Sequence, residues 1–130
     1  MRTVSILIGI CLGIILSSCE GNTTREWKVT NNSSQAFQVD IKSNFNMEKL
    51  VTIETGKSEV IYVYETRGGD DDAGNTAEYF ESFEIVSLSD SVRKDVQASP
   101  NWKSESEHAK RVPSHFEHKF TISISDDDFY

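Results

Sequence analysis

From residue 26 onward, apolar and polar residues alternate with a period of two. Trp27 and Val29 alternate with Glu26, Lys28 and Thr30, and Phe37, Val39 and Ile41 with Gln38, Asp40 and Lys42. Val51 and Ile53 follow the same rule. The longest run sets Phe116, His118, Phe120, Ile122 and Ile124 against Glu117, Lys119, Thr121, Ser123 and Ser125. Successive strand residues point to opposite faces, so each run predicts a strand with one buried and one wet side. Val60–Tyr64 is apolar on both phases and predicts a central strand, or one whose outer face a loop covers. Further strands are expected around Tyr79–Leu88 and near Val92–Val96. The stretch Gln97–Pro113 reads two ways. Ser104 and Glu107 have the spacing of a capping box opening one helical turn. Alternatively, Trp102 sits on an edge strand.

Turn chemistry separates the runs. Asn31-Asn32-Ser33-Ser34 suits local side-chain to backbone hydrogen bonds. Thr55-Gly56-Lys57 lies at hairpin distance between Ile53 and Val60. Gly68–Asn75 is a longer, acidic loop. About seven strands with no strong helix between them predict an all-β fold, an antiparallel β-sandwich. It is immunoglobulin-like in architecture only, since the paired cysteines around a buried tryptophan are missing.

The first eighteen residues follow another pattern. Arg2 precedes an apolar run from Val4 to Leu16. That run is shorter than the ~20 residues a spanning helix needs, and it ends in small residues, which is the layout of a secretory leader. Leu16-Ser17-Ser18-Cys19 then resembles the lipobox of bacterial lipoproteins. The resemblance implies removal of residues 1–18 as a signal peptide, with Cys19 lipidated on sulfur and on its new amino group. By the sorting rule of that family, Glu20 in place of Asp implies the outer membrane, facing either the periplasm or the exterior. Residues 19–25 then form the lipidated cysteine and a short tether, and residues 26–130 the sandwich domain. The mature layout also resembles small β-sandwich lipoproteins of Bacteroidetes, through Trp27–Ser33, Thr55–Ser58 and Phe120–Phe129. That resemblance brings no known activity.

Removal of the leader leaves 112 of the 130 residues, enough for one core without staples. Cys11 and Cys19 are the two cysteines, so no disulfide is expected inside the domain. The formal charge is −8, and losing Arg2 makes the mature chain one unit more negative. Such a surface repels nucleic acid and anionic headgroups.

Candidate chemistry is sparse. Asp70 and Asp72 could hold Ca²⁺, which favours closely spaced carboxylates. In an EF-hand count from Asp70, Glu81 takes the twelfth place, but Gly74 and Asn75 occupy the fifth and sixth in reversed order. A solvated acidic loop is the simpler reading, as it is for Asp126-Asp127-Asp128. His115 and His118 fall on opposite strand faces and cannot chelate one ion locally. His118 lies on the apolar phase and predicts a hydrogen-bonded core or edge histidine. Trp27, Trp102, Tyr62 and Tyr64 are candidates for a sugar- or peptide-binding platform. Asp90-Ser91-Val92 resembles the Bacteroidetes O-glycosylation motif, which implies a glycan on Ser91. The sequence contains no Gly-x-Ser-x-Gly, phosphate-binding glycine loop or His-Glu-x-x-His, and a serine–histidine pairing across strands stays open.

The expectation is a non-enzymatic lipoprotein, held in the membrane by acyl chains on Cys19, whose sandwich binds a protein partner in the cell envelope. The alternative is a carbohydrate-binding or adhesion module, Ca²⁺-assisted or not. A hydrolase or hydrolase inhibitor ranks below both.

Overall fold

The computed structural model describes residues 21–87, 92, 94–98 and 101–129. Seven strands follow in chain order: β1 (Asn22–Asn32), β2 (Phe37–Ser43), β3 (Glu48–Ile53), β4 (Ser58–Arg67), β5 (Phe80–Val86), β6 (Lys103–Arg111) and β7 (Ser114–Ser125). They form a four-stranded sheet in the order β4-β1-β7-β6 and a three-stranded sheet in the order β3-β2-β5. The inward side chains of the two sheets meet in one core. The fold is therefore an all-β sandwich of seven strands, with short 3-10 turns at Thr76–Glu78 and Asp126–Asp128.

One pairing departs from the antiparallel expectation. β1 and β7 run parallel, from Asn22 opposite His115 to Asn32 opposite Ser125. The first and last strands thus form the middle of the larger sheet. β1 also starts earlier than the pattern suggests. Asn22–Arg25, expected within the tether, already pairs with β4 and β7.

Alternation is kept along β1, where Thr23, Arg25, Trp27, Val29 and Asn31 are buried and the residues between them are not. Trp27 is fully buried. It stacks on Phe120 at 5.0 Å and 10° and on Tyr62 at 5.4 Å and 25°. Such pairs add about 0.5–1.5 kcal/mol each beyond the area they bury.

Bulges explain where the period fails. Trp27 pairs with Tyr62 and Lys28 with Val60, so Ile61 is the extra residue of β4. Two neighbours, Ile61 and Tyr62, then both serve the core side, and the segment reads as apolar on both phases. β4 is an edge strand and not a central one, and Val60 and Val63 are exposed. In β5 a second shift lets Phe80 and Phe83, three apart, both face inward.

Other expectations are corrected. β3 and β4 belong to different sheets, so the turn at Thr55-Gly56-Lys57 is a corner and not a hairpin. Asn31 holds that corner: its amide donates to the Lys57 carbonyl and its carbonyl accepts from Gly56. The described residues of the segment near Val92–Val96 form no strand; Val92 makes one isolated bridge to Phe129 and Val96 enters the core. Ser104–Glu107 lies within β6, an edge strand, which excludes the helical turn; Trp102 is not on that strand, which begins one residue later at Lys103.

Candidate functional site

Four polar side chains occupy buried phases of the larger sheet: Thr23, Arg25 and Asn31 on β1 and His118 on β7. Thr23, Arg25 and His118 gather at the end where β1 begins. There the loop Gly68–Asn75 covers the sheet. A covering strand would present side chains, but a covering loop presents backbone groups that need partners. The chemistry of Thr23, Arg25 and His118 follows from that difference.

Thr23 Oγ1 donates to the Gly68 carbonyl at 2.7 Å and accepts from the Asp70 amide at 2.8 Å. Arg25 Nε donates to the Ala73 carbonyl at 3.1 Å. Its Nη2 donates to the Asp72 carbonyl at 2.8 Å and to Asp70 Oδ2 at 3.1 Å. The guanidinium also lies 5.5 Å from the Tyr79 ring centre. His118 Nε2 meets the Asp70 carbonyl at 2.8 Å. A carbonyl only accepts, so Nε2 carries the proton. In the neutral ring Nδ1 is then an acceptor, and Ser106 Oγ, 2.7 Å away, donates to it.

The acidic residues of the loop are turned into it. Asp70 Oδ1 accepts from the Asp72 amide at 3.0 Å, and Asp72 Oδ1 accepts from the Gly74 amide at 2.9 Å. The Asp72 amide, more than Arg25, holds the Asp70 carboxyl below its ordinary value, against a smaller opposing effect of desolvation. Arg25 supplies the cation that a Ca²⁺ ion would otherwise bring to Asp70. Among the described residues, no three His, Cys, Asp or Glu side chains gather in a metal-binding group. Glu81 lies on β5 and pairs with Lys42 at 3.2 Å.

The acidic run near the C-terminal end is also structural. Asp126 Oδ1 accepts from the Ser34 amide and hydroxyl at 2.8 and 2.9 Å. Asp128 accepts from the Ser125 amide at 2.9 Å and pairs with Lys94 at 3.2 Å. The histidines do not converge. His115 bonds Asn22, and His108 stacks on Phe116 at 4.2 Å.

The aromatic candidates separate into two groups. Trp27 and Trp102 are corrected from binding residues to core residues. The first is stacked on both faces, and the second packs against Phe83 with its indole N–H donated to the Val96 carbonyl at 2.7 Å. Tyr62 and Tyr64 are half-buried, and a ring the sequence did not mark covers one face of Tyr64. Phe45, 48% exposed, stacks on it at 4.4 Å. The platform is thus largely self-satisfied. Cys19 and Ser91 lie outside the described residues.

The remaining feature is β6. All nine of its residues are exposed, including Ser104, Ser106 and His108, which stand on the core-side phase opposite Phe120, His118 and Phe116. The smaller sheet has no strand to lay over them. β6 pairs with β7 on one edge, and among the described residues no strand meets the other. Its sequence, Lys-Ser-Glu-Ser-Glu-His-Ala-Lys-Arg, is charged in the way that discourages indiscriminate strand pairing.

No protein-family model, curated protein or solved structure matches the chain.

Arg25, Thr23, Ser106 and Phe45 were missed by the sequence reading. The available signal was polarity on an apolar phase: a Thr, Arg or His where the pattern calls for Val marks a strand covered by loop backbone.

Proposed function

We propose that the chain is a lipoprotein anchored in the outer membrane through Cys19, and that its sandwich binds a protein partner in the cell envelope without catalysing a reaction. The observation that carries the binding half is the open β6 edge. A nine-residue edge strand offers a row of main-chain donors and acceptors to an added strand. Its charged side chains, Lys103, Glu105, Glu107, Lys110 and Arg111, select a partner with the complementary charge order. The anchoring half rests on the Leu16–Cys19 motif behind the leader. The test is affinity capture from detergent-solubilised envelopes with the wild-type chain and with Glu105→Lys/Glu107→Lys. A partner recovered by the first and lost by the second supports the reading. Identical recoveries from both would refute the assignment to β6.

The hydrolase reading gains one observation, the Ser106–His118 hydrogen bond. A backbone carbonyl, and not a carboxylate, orients the outer ring nitrogen. Both ring nitrogens are engaged in joining β6, β7 and the loop, which is the work of a structural bridge. A serine-directed fluorophosphonate probe separates the two readings, since a bridging serine stays unlabelled. The carbohydrate reading keeps one free aromatic face, Phe45. A glycan array in the presence and absence of EDTA tests it together with the Ca²⁺ assignment. Peptide mass mapping tests the glycan on Ser91.

A further inference from the structure

The end of the sandwich at which β1 begins also carries the tip of the β6–β7 hairpin. Arg111 pairs with Ser114, which leaves Val112 and Pro113 as the turn. Val112 is 75% exposed, the most exposed of the large apolar residues among those described, and Lys110 and Arg111 beside it are exposed too. An apolar side chain at the apex of a turn has no packing reason to be there.

Gly21 fixes where the anchor enters. It lies against the pair that closes this turn: a Cβ on Gly21 would fall 1.8 Å from the Ser114 carbonyl oxygen. The Gly21 carbonyl accepts from the Gly68 amide at 3.1 Å, which pins it from the other side. Cys19 is two residues from Gly21, a reach of at most about 7 Å. The tether is therefore too short to let the domain turn over. Whatever surface holds Cys19 must also meet this end of the sandwich.

We infer that the Arg111–Val112 tip rests in the headgroup layer of the bilayer that holds Cys19, so that the sandwich stands on this end with its strands rising from the membrane. The inference rests on the lipid-anchor reading above. The partner is a lipid surface. Val112 enters the apolar boundary, while Lys110 and Arg111 keep their charges at headgroup level and lay their stems along it. Net charge is not what selects the surface, because Asp71 and Asp72 are exposed at the same end. The far end, with the Thr55-Gly56 corner, stands away from the lipid by the length of β1. At eleven residues that is roughly 35 Å.

Once Cys19 is acylated the mature chain offers no other thiol, so single labels report cleanly. The full chain is expressed in a host that lipidates it, as Val112→Cys or as Thr55→Cys. Each variant is labelled with NBD and reconstituted in vesicles of phosphatidylethanolamine and phosphatidylglycerol. The expected result is a blue-shifted label at 112 that lipid-borne doxyl groups quench, and a label at 55 that stays in water. A protein that floats with the vesicles while the 112 label stays in water overturns the orientation and leaves the anchor reading intact. A dry label at 55 with a wet one at 112 overturns it equally. A purified chain without acyl mass on Cys19, and absent from the floated vesicles, overturns both readings.

Discussion

Asn31 offers the sharpest test of the packing argument. It is fully buried, and every hydrogen-bonding position of its amide is used. Nδ2 donates to the Gln35 and Ile53 carbonyls at 2.8 and 2.9 Å. Oδ1 accepts from the Ser33 amide at 2.9 Å and from the Ser33 hydroxyl at 2.6 Å. One side chain thereby ties the β1–β2 turn to the end of β3. Asn31→Ala removes four bonds with net values of about 0.5–1.5 kcal/mol each, and some of the freed groups regain water. A loss of about 3 kcal/mol is expected, a large share of the 5–15 kcal/mol typical of a domain. It corresponds to a melting temperature lower by about 10 °C. Urea titration followed by tryptophan fluorescence measures it, because Trp27 and Trp102 are both buried. Asn31→Asp is the stricter variant. It keeps the shape but points an oxygen at two carbonyl oxygens. The folded state then favours the protonated acid, so its carboxyl titrates above the unfolded value of about 3.9. The variant's deficit should therefore grow as the pH rises above that value. An Ala deficit below about 1 kcal/mol, or an Asp deficit that does not change with pH, would refute the assigned role.

Four further outcomes are expected. Trp27→Ala empties the stack between Tyr62 and Phe120 and should cost about 3–5 kcal/mol in the same titration. Gly21→Ala meets both a positive φ of 70° and the Ser114 carbonyl; a loss of at least about 1–3 kcal/mol is expected, with faster amide exchange at Gly68. Ser106→Ala strands the buried His118 Nδ1 and should destabilise by about 1–3 kcal/mol, seen as a lower urea midpoint. Acid should unfold the domain through carboxylates that the fold holds below their ordinary 3.8: Asp70 by the Asp72 amide and Arg25, Asp126 by Ser34, and Asp128, where Ser125 and Lys94 outweigh burial. A lowered folded value stabilises above 3.8 and is lost as the pH falls through it, so the triple Asn variant should show a flatter urea midpoint between pH 5 and 2.

Strands whose two faces differ were legible from sequence. β2, and β7 beyond His118, keep strict alternation because core lies on one side and water on the other. Pattern failed where geometry absorbs an extra residue. The bulge at Ile61 makes an edge strand look like a central one. Pairing direction was not legible either: nothing in the alternation of β1 says that its neighbour runs parallel. β6 carries no apolar phase because, among the described residues, no strand lies over it, so periodicity had nothing to report. The loop at Asp70–Asp72 reads from composition as a cation site, yet the cation it meets is Arg25, 45 residues away from Asp70 along the chain. Only the odd polarity of Thr23, Arg25 and His118 hinted at that contact.

The parallel union of β1 and β7 has a consequence for how the molecule is made. Partners 93 residues apart must find each other before the larger sheet has a middle. Contacts of such separation slow folding. A chain that lacks β7 has only β4 to place beside β1, so the larger sheet stays incomplete until Ser114–Ser125 is present. Truncation before Ser114 would therefore leave β1 with one bare edge and β6 with no strand beside it.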